Sequence, residues 1–256
     1  MTKKFVISSG HGAKVPGASG ILNEHEEAKK VVNRVFSILT NNYNGSGYKY
    51  HEKTATSQDQ NLANIVNHHN SKSRSLDISV HFNSASASAT GSECLYYDEK
   101  SLSKKMSKAM ADALGILDRG AKERKELYFL RKTVKPAILL EVCFVTSEKD
   151  AKAYRENFEG LCQAIAKVIA DKLDYKKKES KPKKSEYYTE GNGLYRIKKK
   201  CWAYSKLKFD KKNRVEVCPE NTVYTIVDIV KYGLVYRLKT KSGLYITAKK
   251  AFVEKV

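Results

Sequence analysis

The sequence predicts an α/β domain, with a mostly parallel sheet covered by helices on both faces, followed by a small all-β domain. Three observations predict this architecture. Short β-branched runs alternate with helical periodicity up to about residue 168, a lysine-rich stretch follows at 174–185, and only short strands come after it. Alternation of strands and helices is typical of a sheet between two helical layers, whereas short strands separated by turns favour a small antiparallel barrel.

The elements of the first domain follow from apolar spacing. Asn23 suits the N-cap of the first helix, with Glu26 three residues further on. Recurring apolar residues at helical spacing mark the helices, and β-branched runs mark the strands. The predicted helices cover residues 23–40, 62–69, 102–113 and 154–168, and the predicted strands cover residues 5–8, 76–82, 93–97, 127–130 and 137–145.

The lysine-rich stretch predicts a hinge between two domains. It lacks apolar periodicity and is dense in like charge, so it should be extended and solvated. Beyond it, strands are predicted at 194–197, 223–227, 234–238 and 244–247. We therefore expect a first domain at residues 1–173, a basic linker at 174–190 and a β domain at 191–256.

Charge is unevenly distributed along the chain. Residues 1–175 hold 26 Lys and Arg against 20 Asp and Glu, a net of +6, whereas residues 176–256 hold 22 against 8, a net of +14. Such a concentration of positive charge favours binding to a polyanion: nucleic acid, an anionic membrane or an acidic cell-wall polymer. The longest apolar runs are too short to cross a bilayer, the N-terminus has no signal-peptide core, and the five irregularly spaced cysteines favour synthesis in a reducing cytoplasm.

Four residues far apart in the sequence are candidates for a metal-dependent hydrolase site: His11, Glu24, His81 and Glu141. Two imidazoles and a carboxylate can hold a zinc ion with one coordination position left open for water. A second carboxylate can then act as an acid or base towards that water. His11 follows the first strand and His81 lies late in another, so they could meet beyond the carboxyl ends of a parallel sheet. A solvated loop histidine at position 11 and a satisfied core histidine at position 81 are the alternatives.

The two glutamates stand out for different reasons. Glu141 interrupts the apolar run 137–145, where a carboxylate needs a proton or a cation. It is either one half of a buried ion pair or a catalytic acid or base beside a metal. Glu24 lies within about 40° of the apolar stripe of the first helix, so it is directed inward. The alternative is a carboxylate that the dipole favours at any helix N-terminus.

Five segments carry a resemblance to a known family. They are residues 7–12 (ISSGHG), Glu24, residues 79–84 (SVHFNS), residues 119–122 (RGAK) and residues 139–145 (LLEVCFV). In order and spacing they resemble the zinc-dependent N-acetylmuramoyl-L-alanine amidases of the type 3 class, over roughly residues 3–173. The resemblance implies a twisted mixed sheet between helices, zinc bound by His11, Glu24 and His81, and a catalytic Glu141. Ser84 stands where alanine is common in the family, and His25 beside Glu24 is a departure that offers an alternate ligand.

The resemblance also implies a substrate and a setting. The substrate is the amide bond between N-acetylmuramic acid and L-alanine in peptidoglycan, and its cleavage lyses bacteria. The arrangement is similar to bacteriophage endolysins of Gram-positive hosts, which are made in the host cytoplasm without a signal peptide and reach the wall through a phage-made pore. A zinc peptidase that cuts within the stem peptide is the competing enzyme. A basic nucleic-acid-binding protein is the distant alternative, which leaves Glu141 unexplained. We expect no nucleic-acid partner and no membrane insertion.

The tail resembles bacterial SH3-like wall-binding modules weakly, through strand spacing and aromatic residues. Its positive charge predicts binding to an anionic cell-wall polymer, which would keep the first domain near its substrate. The aromatic residues that could stack on sugars are Trp202, Tyr204, Tyr224, Tyr236 and Tyr245. A core or rim position in a small barrel is the alternative for the tyrosines.

Overall fold

The computed structural model describes residues 3–178 and 185–256, and their contacts divide the chain into two units, Met1–Glu179 and Ser180–Val256. The strands of the first unit are β1 (Lys4–Ser9), β2 (Ser46–Tyr50), β3 (Leu76–Asn83), β4 (Ser92–Tyr96), β5 (Asp118–Glu123) and β6 (Ala137–Phe144). Its helices are α1 (Glu24–Asn41), α2 (Gln58–Asn70), α3 (Lys100–Leu114), α4 (Tyr128–Lys132) and α5 (Glu148–Leu173).

The six strands form one mixed sheet in the order β2-β1-β3-β6-β4-β5. Strand β1 pairs in parallel with β2 and β3, and β3 pairs in parallel with β6. Strand β4 runs antiparallel to β6 and pairs in parallel with β5. Four strands therefore share one direction, which confirms the predicted mixed, mostly parallel sheet.

Helices cover both faces of this sheet, as predicted. One core combines apolar residues of α1, α3 and α5 with one face of the strands, and a second core lies between the opposite face and α2 and α4. The apolar stripe of α1 is buried through Ala28, Val31 and Val35. The helix begins where predicted, because the Asn23 side chain accepts a hydrogen bond from the Glu26 N–H at 3.0 Å.

One predicted element is wrong and two are missing from the prediction. Residues 127–130, predicted as a strand, fall largely in the short helix α4, where Phe129 and Leu130 are buried. A short apolar run does not distinguish a strand from one buried helical turn. Strands β2 and β5 were not predicted, because they lie at the two edges of the sheet and lack a regular apolar alternation.

The second unit is an all-antiparallel sheet, which confirms the predicted all-β class. Its strands are β7 (Gly193–Ile197), β8 (Cys201–Tyr204), β9 (Arg214–Cys218), β10 (Val223–Tyr232), β11 (Val235–Thr240), β12 (Tyr245–Thr247) and β13 (Val253–Lys255), in the order β13-β7-β10-β11-β12-β8-β9. Tyr195, Leu238 and Ile246 are buried in its core. The four predicted strands overlap β7, β10, β11 and β12, whereas the sequence analysis missed the other three.

The predicted linker at 174–190 falls partly on residues 179–184, which lie outside the described residues. On the near side, Tyr175 is buried with the first unit, and its hydroxyl donates to the Ser46 carbonyl at 2.9 Å. The domain boundaries stay a prediction. Among the helices of residues 3–178 and 185–256, none is both long and apolar enough to span a bilayer.

Candidate metal centre

Three of the four candidate residues meet where the neighbouring strands β1 and β3 end. The Gly10 N–H donates to the Val80 carbonyl at 2.9 Å, so the loop after β1 is held against the late part of β3. This contact brings His11 beside His81, and Glu24 reaches both from the first turn of α1. Their ligand atoms all lie within 4.8 Å of one another, and this is the one such cluster of His, Cys, Asp or Glu within the described part of the chain.

One oxygen of Glu24 lies between the two imidazoles. Its Oε1 is 3.3 Å from His11 Nε2 and 3.1 Å from His81 Nδ1. The two rings are nearly perpendicular, with centroids 5.0 Å apart. Ligand atoms bound about 2.1 Å from a tetrahedral zinc ion lie about 3.4 Å from each other. The spacing of this donor set therefore fits a zinc ion.

Backbone contacts fix the orientation of the Glu24 carboxylate. The Phe82 N–H donates to Oε1 at 3.1 Å, and the Ala18 N–H donates to Oε2 at 2.8 Å. The carboxylate is thus held by the strand that carries His81 and by the loop that carries His11. The loop before α1 and the end of β3 are both needed to build the site.

Two glycines make room for the imidazoles. A Cβ at Gly10 would overlap the ring of His81. A Cβ at Gly17 would lie 2.6 Å from His11 Cδ2, and Gly17 also adopts a φ of +73°, which disfavours other residues. The backbone therefore approaches the rings more closely than any side chain would allow.

The electrostatics of the cluster suit a cation. Burial by itself would raise the pKa of Glu24, but contacts with His11 and His81 prevail and lower it below its ordinary value. Burial lowers the pKa of His81, which favours the neutral imidazole that a metal requires. The Nδ1 atom of His11 is buried without a hydrogen-bond partner among residues 3–178 and 185–256.

The fourth candidate, Glu141, lies next to the cluster on the same face of the sheet. Strands β3 and β6 pair His81 directly with Glu141. The Oε2 atom of Glu141 is buried, and no described residue makes a hydrogen bond to it. Burial, followed by the charges of Glu24 and Glu93, raises the pKa of Glu141 well above its ordinary value, whereas Arg124 opposes this effect. The alternative of a buried ion pair at Glu141 has no support in these contacts.

Glu93, which was not among the candidates predicted from the sequence, faces Glu141 from the other side. Strands β4 and β6 pair the two glutamates directly. Glu93 accepts hydrogen bonds from Arg119 Nε at 2.8 Å and from Asn83 Nδ2 at 3.0 Å. A charged residue within a short buried strand was the available signal, the same signal that singled out Glu141.

A cavity of about 350 Å³ opens over His81 and Glu141. Its polar lining also includes Asn83, Glu93 and Arg124. Apolar side chains of α2, α4 and the sheet form the rest of the cavity lining. They are Leu62, Leu95, Leu127, Tyr128, Phe129 and Leu139. The misassigned segment 127–130 therefore forms one wall of the site.

Two other histidines make hydrogen bonds to other groups of the protein. His25, the alternate ligand considered from the sequence, lies with its Nδ1 2.9 Å from the His11 carbonyl oxygen, and so it supports the backbone of the loop. His69 lies between Asp77 Oδ1 at 2.8 Å and Ser8 Oγ at 3.0 Å. This Ser-His-Asp row resembles a nucleophilic triad, but all three residues are fully buried in the core, out of reach of a substrate. It joins β1, α2 and β3.

The aromatic candidates of the second unit differ in exposure. Trp202 is 36 % exposed, and the Arg214 guanidinium lies 4.9 Å from its ring centroid. Tyr204 is only 8 % exposed and stacks on Phe209 with centroids 3.9 Å apart. The remaining candidates are half-buried: Tyr224, Tyr236 and Tyr245. Trp202 is the most accessible of the five.

Known proteins resemble this chain over both units. Residues 5–173 match the family described as N-acetylmuramoyl-L-alanine amidase, and residues 187–253 match a domain family of unknown function, DUF5776. The endolysin of Bacillus phage SPP1 is 30 % identical over 275 residues, covering 99 % of this chain and 98 % of the endolysin. An uncharacterized protein of Clostridium perfringens is 32 % identical over 182 residues, covering 68 % of this chain, which spans about half (52 %) of that protein.

A solved structure supports the same assignment for the first unit. The catalytic domain of CwlV, an N-acetylmuramoyl-L-alanine amidase from Bacillus (Paenibacillus) polymyxa var. colistinus, is 31 % identical with a TM-score of 0.58. The match covers 68 % of this chain and 99 % of that domain. These similarities confirm the family that the motifs predicted: the chain belongs to the N-acetylmuramoyl-L-alanine amidase family, Amidase_3.

Proposed function

We propose that this protein is a zinc-dependent hydrolase of peptidoglycan that cleaves the amide bond between N-acetylmuramic acid and L-alanine. One observation carries the proposal: the cluster of His11, Glu24 and His81 lies beside Glu141, whose buried Oε2 has no hydrogen-bond partner among the described residues. Membership in the amidase family supports the choice of bond. Cleavage of this bond separates the stem peptides from the glycan strands and lyses the cell.

The residues of the site have separate proposed roles in metal binding and in proton transfer. A zinc ion held by His11, Glu24 and His81 would polarise the carbonyl of the bond and lower the pKa of a bound water. Glu141 is suited to take a proton from the attacking water and to pass it to the leaving amine of L-alanine, because burial raises its pKa and so strengthens it as a base relative to an ordinary carboxylate. Backbone donors hold Glu24 in place, so its carboxylate stays available to the metal.

Product analysis tests the bond and the metal together. Digestion of purified Gram-positive cell wall by the full chain should release stem peptides with a free L-alanine amine and leave peptide-free glycan. A chelator should stop the digestion, and added Zn²⁺ should restore it. A zinc peptidase would instead leave L-alanine attached to muramic acid, and that product would contradict the proposal. Unchanged activity after complete metal removal would contradict zinc dependence.

We infer that the second unit, predicted to be SH3-like, binds an anionic cell-wall polymer. The net charge of +14 over residues 176–256 and the exposed Trp202 beside Arg214 support this inference. The full chain should bind walls that retain their anionic polymers and bind weakly to walls stripped of them. Salt-sensitive binding to single-stranded oligonucleotides, with no preference for wall polymers, would favour the nucleic-acid alternative instead.

We also infer that the protein is a bacteriophage endolysin of a Gram-positive host, with an amidase domain at 1–173, a linker at 174–190 and a wall-binding domain at 191–256. Similarity to the SPP1 endolysin along nearly the whole of both chains supports this setting. The protein would then be made in the host cytoplasm and reach the wall through a phage-made pore. Induced in bacterial cytoplasm, it should lyse the cells only when a pore-forming protein is co-expressed. Lysis without the pore would contradict this route.

A further inference from the structure

The charged groups that line the cavity over Glu141 are two carboxyls and one guanidinium. Its lining carries the carboxyls of Glu93 and Glu141, and Glu24 lies nearby in contact with His81. The charge of Glu93 is matched by Arg119 at 2.8 Å. A carboxylate that a substrate brings into this cavity would be stabilised by a cation that is not already paired with a carboxylate of the cavity.

Arg124 is that cation. Among the lysines and arginines that the structure describes, it alone lines this cavity. Arg124 and Glu141 line the same cavity, so a group bound over Glu141 lies within electrostatic reach of the guanidinium. Arg124 thus lies at the rim of the site rather than on a remote surface.

The backbone holds Arg124 at this rim. It follows the last residue of β5, and its N–H donates to the Tyr96 carbonyl at 2.9 Å. The Leu127 N–H donates to the Arg124 carbonyl at 3.3 Å, which forms the turn into α4. The position is therefore fixed by the sheet on one side and by the apolar wall of the cavity on the other.

The guanidinium is available to a ligand. Its ion pair with Glu126 lies on the surface, where the two side chains are 48 % and 63 % exposed. Exposed pairs contribute little to stability, so a ligand carboxylate can replace Glu126 at little cost. A planar guanidinium can bind such a carboxylate through two parallel hydrogen bonds.

The proposed substrate offers a carboxylate at a suitable distance. In the stem peptide, L-alanine is followed by a glutamate that is linked through its side-chain carboxyl, which leaves the α-carboxylate free. Two extended residues span about 7 Å, so this carboxylate lies about that far from the cleaved amide. The cavity has a volume of about 350 Å³. A cube of that volume is about 7 Å across, which is comparable with this distance.

We propose that Arg124 binds the free α-carboxylate of the second stem-peptide residue and makes the enzyme prefer that carboxylate over its carboxamide form. This inference rests on the proposed amidase function. Arg124 acts as a binding residue, because the carboxylate takes no part in bond cleavage. The carboxamide form is neutral and cannot form this ion pair with Arg124.

Two soluble disaccharide–peptide fragments that differ only in this group, carboxylate or carboxamide, test the proposal. The full-length enzyme should cleave the carboxylate fragment with a kcat/KM about tenfold higher, the gain expected from one charge-assisted contact. The R124Q variant should lose this preference, because its kcat/KM for the carboxylate fragment falls, mainly through a higher KM, far more than its kcat/KM for the carboxamide fragment. R124K should keep part of the preference.

Arg131, exposed on α4 and absent from the cavity lining, provides the matched control. R131Q should retain the wild-type preference, and thermal unfolding should show that both glutamine variants are folded. Equal cleavage of the two fragments by the wild type, or equal slowing of both by R124Q, would overturn the inference while leaving the amidase function intact. Failure of the wild type to cleave either fragment or whole wall would instead contradict the proposed function, and this inference with it.

Discussion

His81 and Glu141 are direct neighbours in the central sheet, paired in register by the parallel strands β3 and β6. Their side chains therefore project from the same face. The parallel pairing places the candidate metal cluster beside the carboxyl of Glu141. The Oε2 atom of this carboxyl is buried and has no hydrogen-bond partner among the described residues. This relationship is the basis of the proposed chemistry, in which Glu141 would exchange a proton with a water molecule that the metal cluster also reaches.

Replacing Glu141 with glutamine should remove the proton transfer and keep the metal. The amide is nearly isosteric, and the ligand set does not include position 141. We expect hydrolysis of cell wall to fall roughly 100- to 10,000-fold, the usual contribution of a general acid–base group, at an unchanged zinc content. Glu156, exposed on α5, is the control, and E156Q should keep full activity. Wild-type activity in E141Q would remove Glu141 from the mechanism.

Replacing His81 with alanine should abolish stoichiometric zinc binding, because two ligands hold zinc far less tightly than three. Metal analysis of the purified chain and the shift of its unfolding temperature on addition of a chelator measure this effect. His68 on α2 stacks on Tyr50 away from the cluster, and H68A should bind zinc like the wild type. Stoichiometric zinc in H81A would show that the ion binds elsewhere.

Replacing Gly10 with alanine should displace the His81 ring, since the added Cβ would overlap it. We expect weaker zinc binding and a loss of stability of roughly 1–3 kcal/mol from overpacking. Gly160 on α5 is the matched control, because an added Cβ there would meet no atom of the described residues within 4 Å apart from its chain neighbours and the backbone of its own helix. G160A should stabilise the protein by about 0.5–1 kcal/mol through its higher helix propensity. Zinc titration and urea unfolding of both variants test the pair, and normal zinc affinity in G10A would contradict the packing argument.

Glu52 should make stability depend on pH in the acid range. Burial would raise its pKa, but hydrogen bonds from Thr54, Ala55 and Asn64 prevail and lower it from 4.5 to about 2. Its ionised form therefore stabilises the fold above pH 4.5, and this contribution, up to about 3 kcal/mol, is lost as the pH falls towards 2. Urea unfolding should show E52Q less stable than the wild type at pH 7, with the difference shrinking below pH 4.5. A difference independent of pH would contradict the assignment.

Replacing Trp202 with alanine should weaken binding to cell walls and spare the chemistry of the first unit. Its indole ring is exposed and can stack on a sugar or polymer face. Co-sedimentation of the full chain with purified walls measures binding, and cleavage of soluble fragments measures activity. Val215, also exposed in the second unit, is the control, and V215A should bind walls like the wild type. Equal binding by W202A would remove Trp202 from the proposed wall-binding surface.

Much of the first unit was predictable because its signals are local. Asn23 caps α1 where predicted, and the alternation in β3 placed His81 on the face opposite to Val80. Segment 127–130 was predicted wrongly because the buried turn of α4 has the same short apolar run as a buried strand. The edge strands β2 and β5 have little apolar alternation to reveal them, since only their pairing with a neighbour makes them strands.

The sequence by itself determined the residue types of the site, the inward direction of Glu24 and the anomaly of a carboxylate at Glu141. These features depend on periodicity and composition, which are properties of short segments. The tertiary structure alone decided that Glu93 and Arg119 complete the surroundings of Glu141, and that Arg124 faces the same cavity. These residues come from strands and turns far apart in the chain, and strand order and register, which depend on packing of the whole sheet, bring them together.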